Sequence, residues 1–170
     1  MKKIRVLRFV QISLMVALTL FLNSCAGDET VCCSKTGGIS LDFSSLPAST
    51  PLLMFTVNRV TGIRIYAEIK RKDTSLWCTG RVEAGPANWK DAAVMLLFCR
   101  LPCRVCAITA EVHGHGHEAR IVATQQDGTT QTAVCPGDKK VLKLNATKDN
   151  PFVYAILSGQ EAEWLHFRVE

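Results

Sequence analysis

Short stretches rich in β-branched and aromatic residues recur from residue 39 to residue 169, and turn-forming residues separate them. Asp127-Gly128 and Pro136-Gly137-Asp138 are two of these turns. About ten short strands at intervals of about 8 to 12 residues, without a long helical period, predict an antiparallel β-sandwich. The predicted strands are ISLDF (39–43), LLMFTV (52–57), GIRIYAEIK (62–70), SLWCTGRVE (75–83), AAVMLLFC (92–99), RVCAITAEV (104–112), EARIVAT (118–124), TQTAV (130–134), KVLKLNA (140–146), FVYAIL (152–157) and EWLHFRV (163–169).

Two of these strands predict different surroundings. Residues 92–99 are nearly all apolar, as in a strand that is covered on both faces. Apolar and polar residues alternate along residues 104–112, so we expect one face of this strand to lie in the core and the other to contact solvent. The predicted core face carries Cys106, Ile108, Ala110 and Val112, and the predicted solvent face carries Thr109, Glu111 and His113.

The N-terminus has the order of parts that a secretory signal requires. Four Lys and Arg residues precede an apolar run from Phe9 to Leu22. This run of about fourteen residues is shorter than the roughly 20 that a helix needs to cross a bilayer. The sequence therefore predicts an exported protein whose signal peptide is residues 1–24.

The end of this signal, Leu22-Asn23-Ser24-Cys25, resembles the lipobox of bacterial lipoproteins. The resemblance implies that Cys25 becomes the first mature residue and carries acyl chains, palmitate among them, which anchor the protein to a membrane. An ordinary cleaved signal that leaves Cys25 as a thiol is the alternative. No Asp follows Cys25 directly, and by analogy with enterobacterial sorting this implies the outer membrane. Residues 25–38 would then be the lipidated N-terminus and tether, and residues 39–170 the β-sandwich domain.

The charge of the mature chain argues against a nucleic-acid partner. The formal net charge of +5 includes four positive charges in the signal, so 16 of the 20 Lys and Arg remain against 15 Asp and Glu. Nucleic-acid binding needs a clustered basic face, and EIKRK (68–72) is the one short cluster. This cluster is more typical of the solvated end of a strand than of a nucleic-acid-binding face.

Seven cysteines follow Cys25, and in an exported protein cysteines predict disulfides. An odd number leaves at least one thiol without an internal partner. Cys-x-x-Cys at 103–106 also admits a redox pair, but it enters an alternating strand and not a helix N-terminus. A four-cysteine zinc site is a further alternative, from Cys99, Cys103, Cys106 and Cys135. The disulfide candidates are Cys32, Cys33, Cys78, Cys99, Cys103, Cys106 and Cys135.

Residues 101–169 resemble the second half of galactose-binding-like jelly rolls. The shared features are a strand, a Gly-rich hairpin at HGHGH, ARIVA, a polar hairpin at Asp127-Gly128, VLKL and a closing pair around Gly159. ISLDFSSLPASTPL is similar to the first strand and loop of the same modules. The resemblance implies a jelly-roll β-sandwich of the carbohydrate-binding or adhesive kind, and it implies no particular ligand residue.

Catalytic motifs are missing from the sequence. It has no Gly-x-Ser-x-Gly elbow, no His-Glu-x-x-His and no phosphate-binding loop, and carboxylates such as Glu161 and Glu163 lie at predicted turns and strand ends. We therefore expect a non-catalytic module that binds a carbohydrate or an envelope protein. Trp89 and Asn88, in the predicted loop GPANWKD, are the candidate ligand residues, whereas Trp77 and Trp164 predict core.

The segment EVHGHGHEARI (111–121) has two interpretations. It predicts a hairpin that joins two strands, because glycine supplies the backbone conformations of a tight turn. It also permits a Zn²⁺ or Cu²⁺ site from His113, His115 and His117 in pairs, with Glu111 as a further ligand. Residues on one strand face are about 6.6 Å apart, so all four groups could converge on one ion only if the chain bends. For the function of the whole protein, a purely structural envelope lipoprotein is the remaining alternative.

Overall fold

The computed structural model of the protein describes residues 31–83 and 88–170, without the side chains of residues 81–90. The predicted signal peptide, the lipobox and Cys25 lie outside the described residues. No helix in the described part of the chain is long and apolar enough to span a membrane.

The fold consists of strands, numbered in chain order, and two short 3-10 helices at Cys33–Thr36 and Phe43–Ser45. The first sheet has the strand order β12-β9-β14-β5-β4, and β1 pairs with β14 beside it. All of its pairs are antiparallel. Its strands are β1 (Ile39–Leu41), β4 (Glu68–Lys72), β5 (Ser75–Thr79), β9 (Ala107–His113), β12 (Lys139–Asn145) and β14 (Glu161–Val169).

The second sheet has the order β11-β10-β13-β8-β3-β2 and is also antiparallel throughout. A separate two-stranded sheet pairs β6 (Arg81–Glu83) with β7 (Asn88–Lys90). The strands of the second sheet are β2 (Met54–Val57), β3 (Val60–Tyr66), β8 (Ala92–Leu97), β10 (Ala119–Gln125), β11 (Thr130–Cys135) and β13 (Phe152–Gly159).

Eight of these strands form a jelly roll. These are β5 and the strands from β8 to β14, and β6 and β7 are left out because they form their own sheet. Successive strands of the eight alternate between the two sheets, except that β10 and β11 are neighbours in the second sheet. Two interlocked sheets with this connectivity define the jelly-roll architecture. The predictions of an antiparallel jelly-roll β-sandwich and of a hairpin at Asp127-Gly128 are confirmed.

The inner faces of the two sheets bury each other and form one core. Along β9 the burial alternates as the sequence predicts, with Ile108, Ala110 and Val112 buried. Each fully buried Leu, Ile, Val or Phe side chain contributes roughly 1.5–3 kcal/mol relative to an exposed one. The largest buried side chains include Trp164, Phe43, Phe167, Ile69, Leu76, Leu96, Ile108, Ile121 and Leu157.

Two predicted strands are broken in the structure. Residues 62–70 were predicted to be one strand, but Ala67 has a φ of 56° and separates β3 of the second sheet from β4 of the first. A positive φ is unfavourable for alanine, and hydrophobic alternation carries no signal for such a corner. Residues 75–83 are similarly divided, because Gly80 separates β5 from β6.

Two disulfides fasten the segment before β1 to the sandwich. Cys32 pairs with Cys106 and Cys33 pairs with Cys103, so the Cys-x-x-Cys motif forms no bond within itself. Backbone hydrogen bonds run beside them, from Cys33 N–H to the Arg104 carbonyl at 2.9 Å and from Arg104 N–H to the Val31 carbonyl at 3.0 Å. The end of the predicted tether is therefore fixed to the domain.

The other three disulfide candidates that the structure describes are free thiols. Cys78 and Cys135 are buried, and Cys99 is exposed. Burial raises the pKa of the Cys78 thiol to about 12, so this group stays protonated and unreactive. These three disulfide candidates therefore form no disulfide, in keeping with the odd number of cysteines. The alternative of a four-cysteine zinc site is wrong, because Cys103 and Cys106 are in disulfides with Cys33 and Cys32.

The two disulfides close almost the same loop, with sequence separations of 74 and 70 residues. Removal of both, by Cys32→Ala, Cys33→Ala, Cys103→Ala and Cys106→Ala, is expected to lower the free energy of unfolding by about 4 kcal/mol, the chain entropy of a loop of this length. Removal of either pair alone should cost much less, because the other pair still closes the loop. Urea unfolding of the three variants measures this coupling, and additive losses would contradict it.

Candidate functional site

The histidine-rich segment crosses from one sheet to the other. It follows β9, which pairs with β12 and β14, and it leads into β10, which pairs with β11 and β13. The predicted hairpin at HGHGH is therefore wrong, since β9 and β10 are not paired with each other. The physical reason is the jelly-roll connectivity, which sends successive strands to opposite sheets.

A tight turn at residues 114–117 makes this corner. The His117 N–H donates to the Gly114 carbonyl at 2.8 Å, and both central residues have positive φ, 48° at His115 and 84° at Gly116. Positive φ at both central positions is typical of a type I′ turn. The Gly116 N–H also donates to the Gly137 carbonyl at 3.1 Å, which ties the corner to the loop before β12.

A row of side chains crosses the outer face of the first sheet beside this corner. The register pairs Lys70 with Trp77, Trp77 with Glu163, Glu163 with His113, and His113 with Lys139. Directly paired residues lie on the same face of a sheet, so this one row spans five strands. It places an imidazole, a carboxylate and an indole next to each other.

The turn brings His115 back over this row. Its ring lies 3.8 Å from the His113 ring and 4.8 Å from the Trp77 ring, between centroids, and it is nearly parallel to the indole. The His115 Nε2 atom lies 3.3 Å from Glu163 Oε2. Both side chains are only partly exposed, 29% for His115 and 20% for Glu163.

Neighbouring groups hold Glu163 and Trp77 in place. The hydroxyl of buried Ser75 lies 2.9 Å from Glu163 Oε1 and 2.7 Å from the Lys72 carbonyl, and its single proton serves one of these acceptors at a time. The Lys72 Nζ atom lies 4.2 Å from the centroid of the Trp77 ring, a cation–π contact. The indole is therefore in contact with both Lys72 and His115.

His113, His115 and Glu163 form a group that could hold a metal ion. Their three ligand atoms lie within 4.8 Å of one another, and each side chain is half-buried. Glu163, and not His117 or Glu111, is the third member of this group. Glu111 is instead engaged by Lys139 at 2.6 Å and by His166 at 3.7 Å.

The structure places the three predicted tryptophans differently. Trp164 is fully buried, as predicted. Trp77 was predicted to be core but is only partly buried, on the outer face of its sheet, because β5 turns Leu76 and Cys78 inward instead. Asn88 and Trp89, predicted in a loop, lie in the short strand β7, where Trp89 pairs with Val82, and their side chains are outside the described part of the chain.

The outer face of the second sheet carries one continuous row of apolar side chains, with polar residues such as Thr56, Thr61 and Arg120 on the same face beside it. One row across it consists of directly paired residues from five adjacent strands, and Leu97 and Tyr154 lie next to this row. The prediction that β8 is covered on both faces is wrong, because its outward residues, unlike its inward ones, are partly exposed. We call this row the apolar row; its members are Val122, Ile156, Met95, Ile63 and Met54.

The apolar row becomes more exposed toward the edge of the sheet. Met54, on the edge strand β2, is 68% exposed, and Leu53 beside it is 64% exposed. Ile63 and Ile65, on β3, are also exposed. Sequence reasoning missed this surface, although the apolar run at 92–99 is the signal that could have indicated it.

No known protein family and no curated protein sequence matches the chain. Among solved structures, a family 29 carbohydrate-binding module from Piromyces equi, CBM29_1, is similar, with 12% identity and a TM-score of 0.47 over 78% of this chain and 91% of the module. BiXyn10A CBM1 in its apo form is also similar, with 11% identity and a TM-score of 0.44 over 77% of this chain and 95% of that chain.

Gly114 is expected to be required for the corner. A Cβ atom at this position would lie 2.1 Å from the His117 carbonyl oxygen and 3.1 Å from the Gly137 Cα, both of them backbone atoms that cannot move aside. Gly114→Ala should therefore lower the free energy of unfolding by about 1–3 kcal/mol. Gly128→Ala is the matched control.

Gly128 has a φ of 87°, but nothing lies within 4 Å of an added Cβ atom, so alanine there meets backbone strain alone. Urea unfolding of the two variants compares the costs. A smaller loss for Gly114→Ala than for Gly128→Ala would contradict the close packing of the corner on residues 136–138.

Proposed function

We propose that this protein is a non-catalytic binding lipoprotein of the bacterial cell envelope. In this proposal, acyl chains on Cys25 anchor the protein to a membrane, and lipoprotein sorting directs it to the outer membrane. The β-sandwich binds a protein partner through the apolar row. The observation that carries the proposal is the unbroken row of five apolar side chains on the outer face of the second sheet.

A continuous apolar row on an outer face is unusual for an antiparallel sandwich. One face of each sheet packs on the core, and the other normally alternates to polar residues that meet water. The first sheet follows this rule, with Lys70, Glu163 and Lys139 on its outer face. The second sheet departs from this rule along the apolar row, and contiguous exposed apolar surface marks interaction sites in soluble domains.

The chemistry of the row favours a protein partner over a sugar. Met54 and Met95 are flexible and polarisable, and methionine is enriched in protein interfaces. Val122, Ile156 and Ile63 are branched and aliphatic, so they offer no flat ring for a sugar to stack on. A protein surface with its own apolar side chains is the complementary ligand.

The disulfides support an envelope location. Bonds of this kind persist in oxidising compartments such as the periplasm and the cell surface. Cys32 follows Cys25 by a stretch of chain that reaches at most about 25 Å when extended. A lipid on Cys25 would therefore hold the sandwich near the membrane, where a partner in the same envelope is at high effective concentration.

A photo-crosslinking residue in place of Ile63 tests the partner-binding surface. When the full-length protein is expressed in cells and irradiated, we expect a discrete cross-linked product with another envelope protein. The same residue in place of Lys143, which is exposed on the outer face of the first sheet, is the matched control and should give no such product.

The product must depend on the apolar row to support the proposal. Met54→Lys places a charge on a side chain that is already 68% exposed, so it should leave the fold intact and abolish cross-linking from position 63. Equal cross-linking from position 143, a product that consists of two copies of this chain, or a product that survives Met54→Lys would each contradict the proposal.

A glycan ligand is the second candidate, carried by the β6–β7 hairpin. This hairpin is paired within itself and forms a sheet apart from the two that make the sandwich. Its indole at Trp89 could stack on a sugar ring, with Asn88 as a hydrogen-bonding neighbour. A glycan array should then show saturable binding that Trp89→Ala abolishes and Met54→Lys leaves unchanged. Binding that both variants retain would exclude this hairpin.

A further inference from the structure

We propose that His113, His115 and Glu163 bind one divalent transition-metal ion of the kind that prefers imidazole, Zn²⁺ or Cu²⁺. This site lies on the outer face of the first sheet, so it is independent of partner binding at the second. The sequence permits a metal in this region, and the structure selects its ligand set: two of the three corner histidines and a carboxylate from β14.

The separations of the donor atoms suit a small ion. Zinc lies about 2.0–2.2 Å from imidazole nitrogen and carboxylate oxygen, so two ligands of a tetrahedral ion are roughly 3.4 Å apart. His115 Nε2 and Glu163 Oε2 are already 3.3 Å apart, and all three donors lie within 4.8 Å of one another. Small side-chain rotations within one rotamer well, which move donors by about 1 Å, close the set.

The protein fixes these donors before any ion arrives. His113 and Glu163 are paired residues of adjacent strands, which sets the distance between them. His115 sits in a turn held by the Gly114–His117 hydrogen bond, and its ring rests on Trp77. Ligands that are already ordered lose less entropy when they bind, so this arrangement favours affinity.

Ser75 orients the Glu163 carboxylate, as residues that hydrogen-bond to metal ligands do in known metal sites. Its hydroxyl lies near Oε1 of Glu163, while Oε2 is the atom that faces His115. A hydrogen bond to one carboxylate oxygen orients the other toward an ion. Ser75 is 1% exposed, so its hydroxyl is fixed by its surroundings.

The nearby lysines do not compete for Glu163. Lys139, at one end of the row, contacts Glu111 at 2.6 Å, and Lys70, at the other end, contacts Glu68 at 3.0 Å. Lys72 lies over the Trp77 ring. The negative charge of Glu163 therefore remains available to a cation, since its partners in the structure are the Ser75 hydroxyl and the His115 imidazole.

The ligand types define the class of ion. Imidazole suits Zn²⁺ and Cu²⁺, and the order of affinities for such sites places Cu²⁺ above Zn²⁺. Ca²⁺ requires six or more oxygen ligands, which two imidazoles and one carboxylate cannot supply. Three protein ligands also leave at least one position of the ion open to water or to another molecule.

Isothermal titration of the purified full chain with Zn²⁺, Cu²⁺ or Ca²⁺ tests the site. The protein is prepared without a histidine tag, and its accessible thiols are alkylated so that Cys99 cannot bind the ions. We expect one Zn²⁺ or Cu²⁺ per chain, tighter binding of Cu²⁺ than of Zn²⁺, and no binding of Ca²⁺.

Paired variants locate the binding. His115→Ala and Glu163→Gln should each weaken Zn²⁺ binding by about tenfold or more, and Ser75→Ala by about tenfold. His166→Ala and Glu161→Gln are the matched controls, since both side chains are exposed on the same strand as Glu163, and they should bind as the unaltered protein does. His115 lies in a turn and outside the core, so its substitution leaves folding intact.

Trp77 supplies a second, local signal. Cu²⁺ held by His115 would lie close to the stacked indole and quench its fluorescence, and Trp77→Phe should remove that quenching while binding is retained. No binding of Zn²⁺ or Cu²⁺ to the unaltered protein would overturn the proposal. So would an equal loss of affinity in His166→Ala and His115→Ala. Partner cross-linking from position 63 is unaffected by either result, so the two proposals fail separately.

Discussion

The mutual burial of two antiparallel sheets is the constraint on which the rest of this structure depends. Each inner face supplies apolar side chains that the other covers, and Trp164 on β14 is fully buried between them. Because successive strands of a jelly roll belong to opposite sheets, the chain must turn a corner after nearly every strand. One of these corners, residues 114–117, places His115 over the first sheet.

The two outer faces of the sandwich have different chemistry as a result. The first sheet carries a polar row, and the corner adds an imidazole to it beside Glu163. The second sheet carries the apolar row, which is most exposed at the edge strand β2. A domain with a polar row on one outer face and an apolar row on the other can bind two unlike ligands without competition between them. The proposed metal site and the proposed partner surface use this separation.

Local patterns predicted the strands, but not which strands are neighbours. Alternation at residues 104–112 predicted the buried side of β9 because side-chain direction follows from local backbone geometry. The contact between His115 and Glu163 joins residues 48 apart in sequence, and it depends on the register of β9 with β14. Hydrophobic alternation cannot give that register, and it cannot give the cysteine pairing either. The positive φ of Ala67 likewise has no signal in residue type, so the break there was missed.

The position of the His115 ring over the first sheet joins the crossing corner, the row on that sheet and the proposed metal site. Nuclear Overhauser effects between the His115 and Trp77 rings measure it most directly, in solution and without metal. We expect strong cross-peaks and His115 ring protons shifted upfield by the indole 4.8 Å away. Solvent-like His115 shifts without cross-peaks to Trp77, or cross-strand contacts between β9 and β10, would contradict this position of the ring.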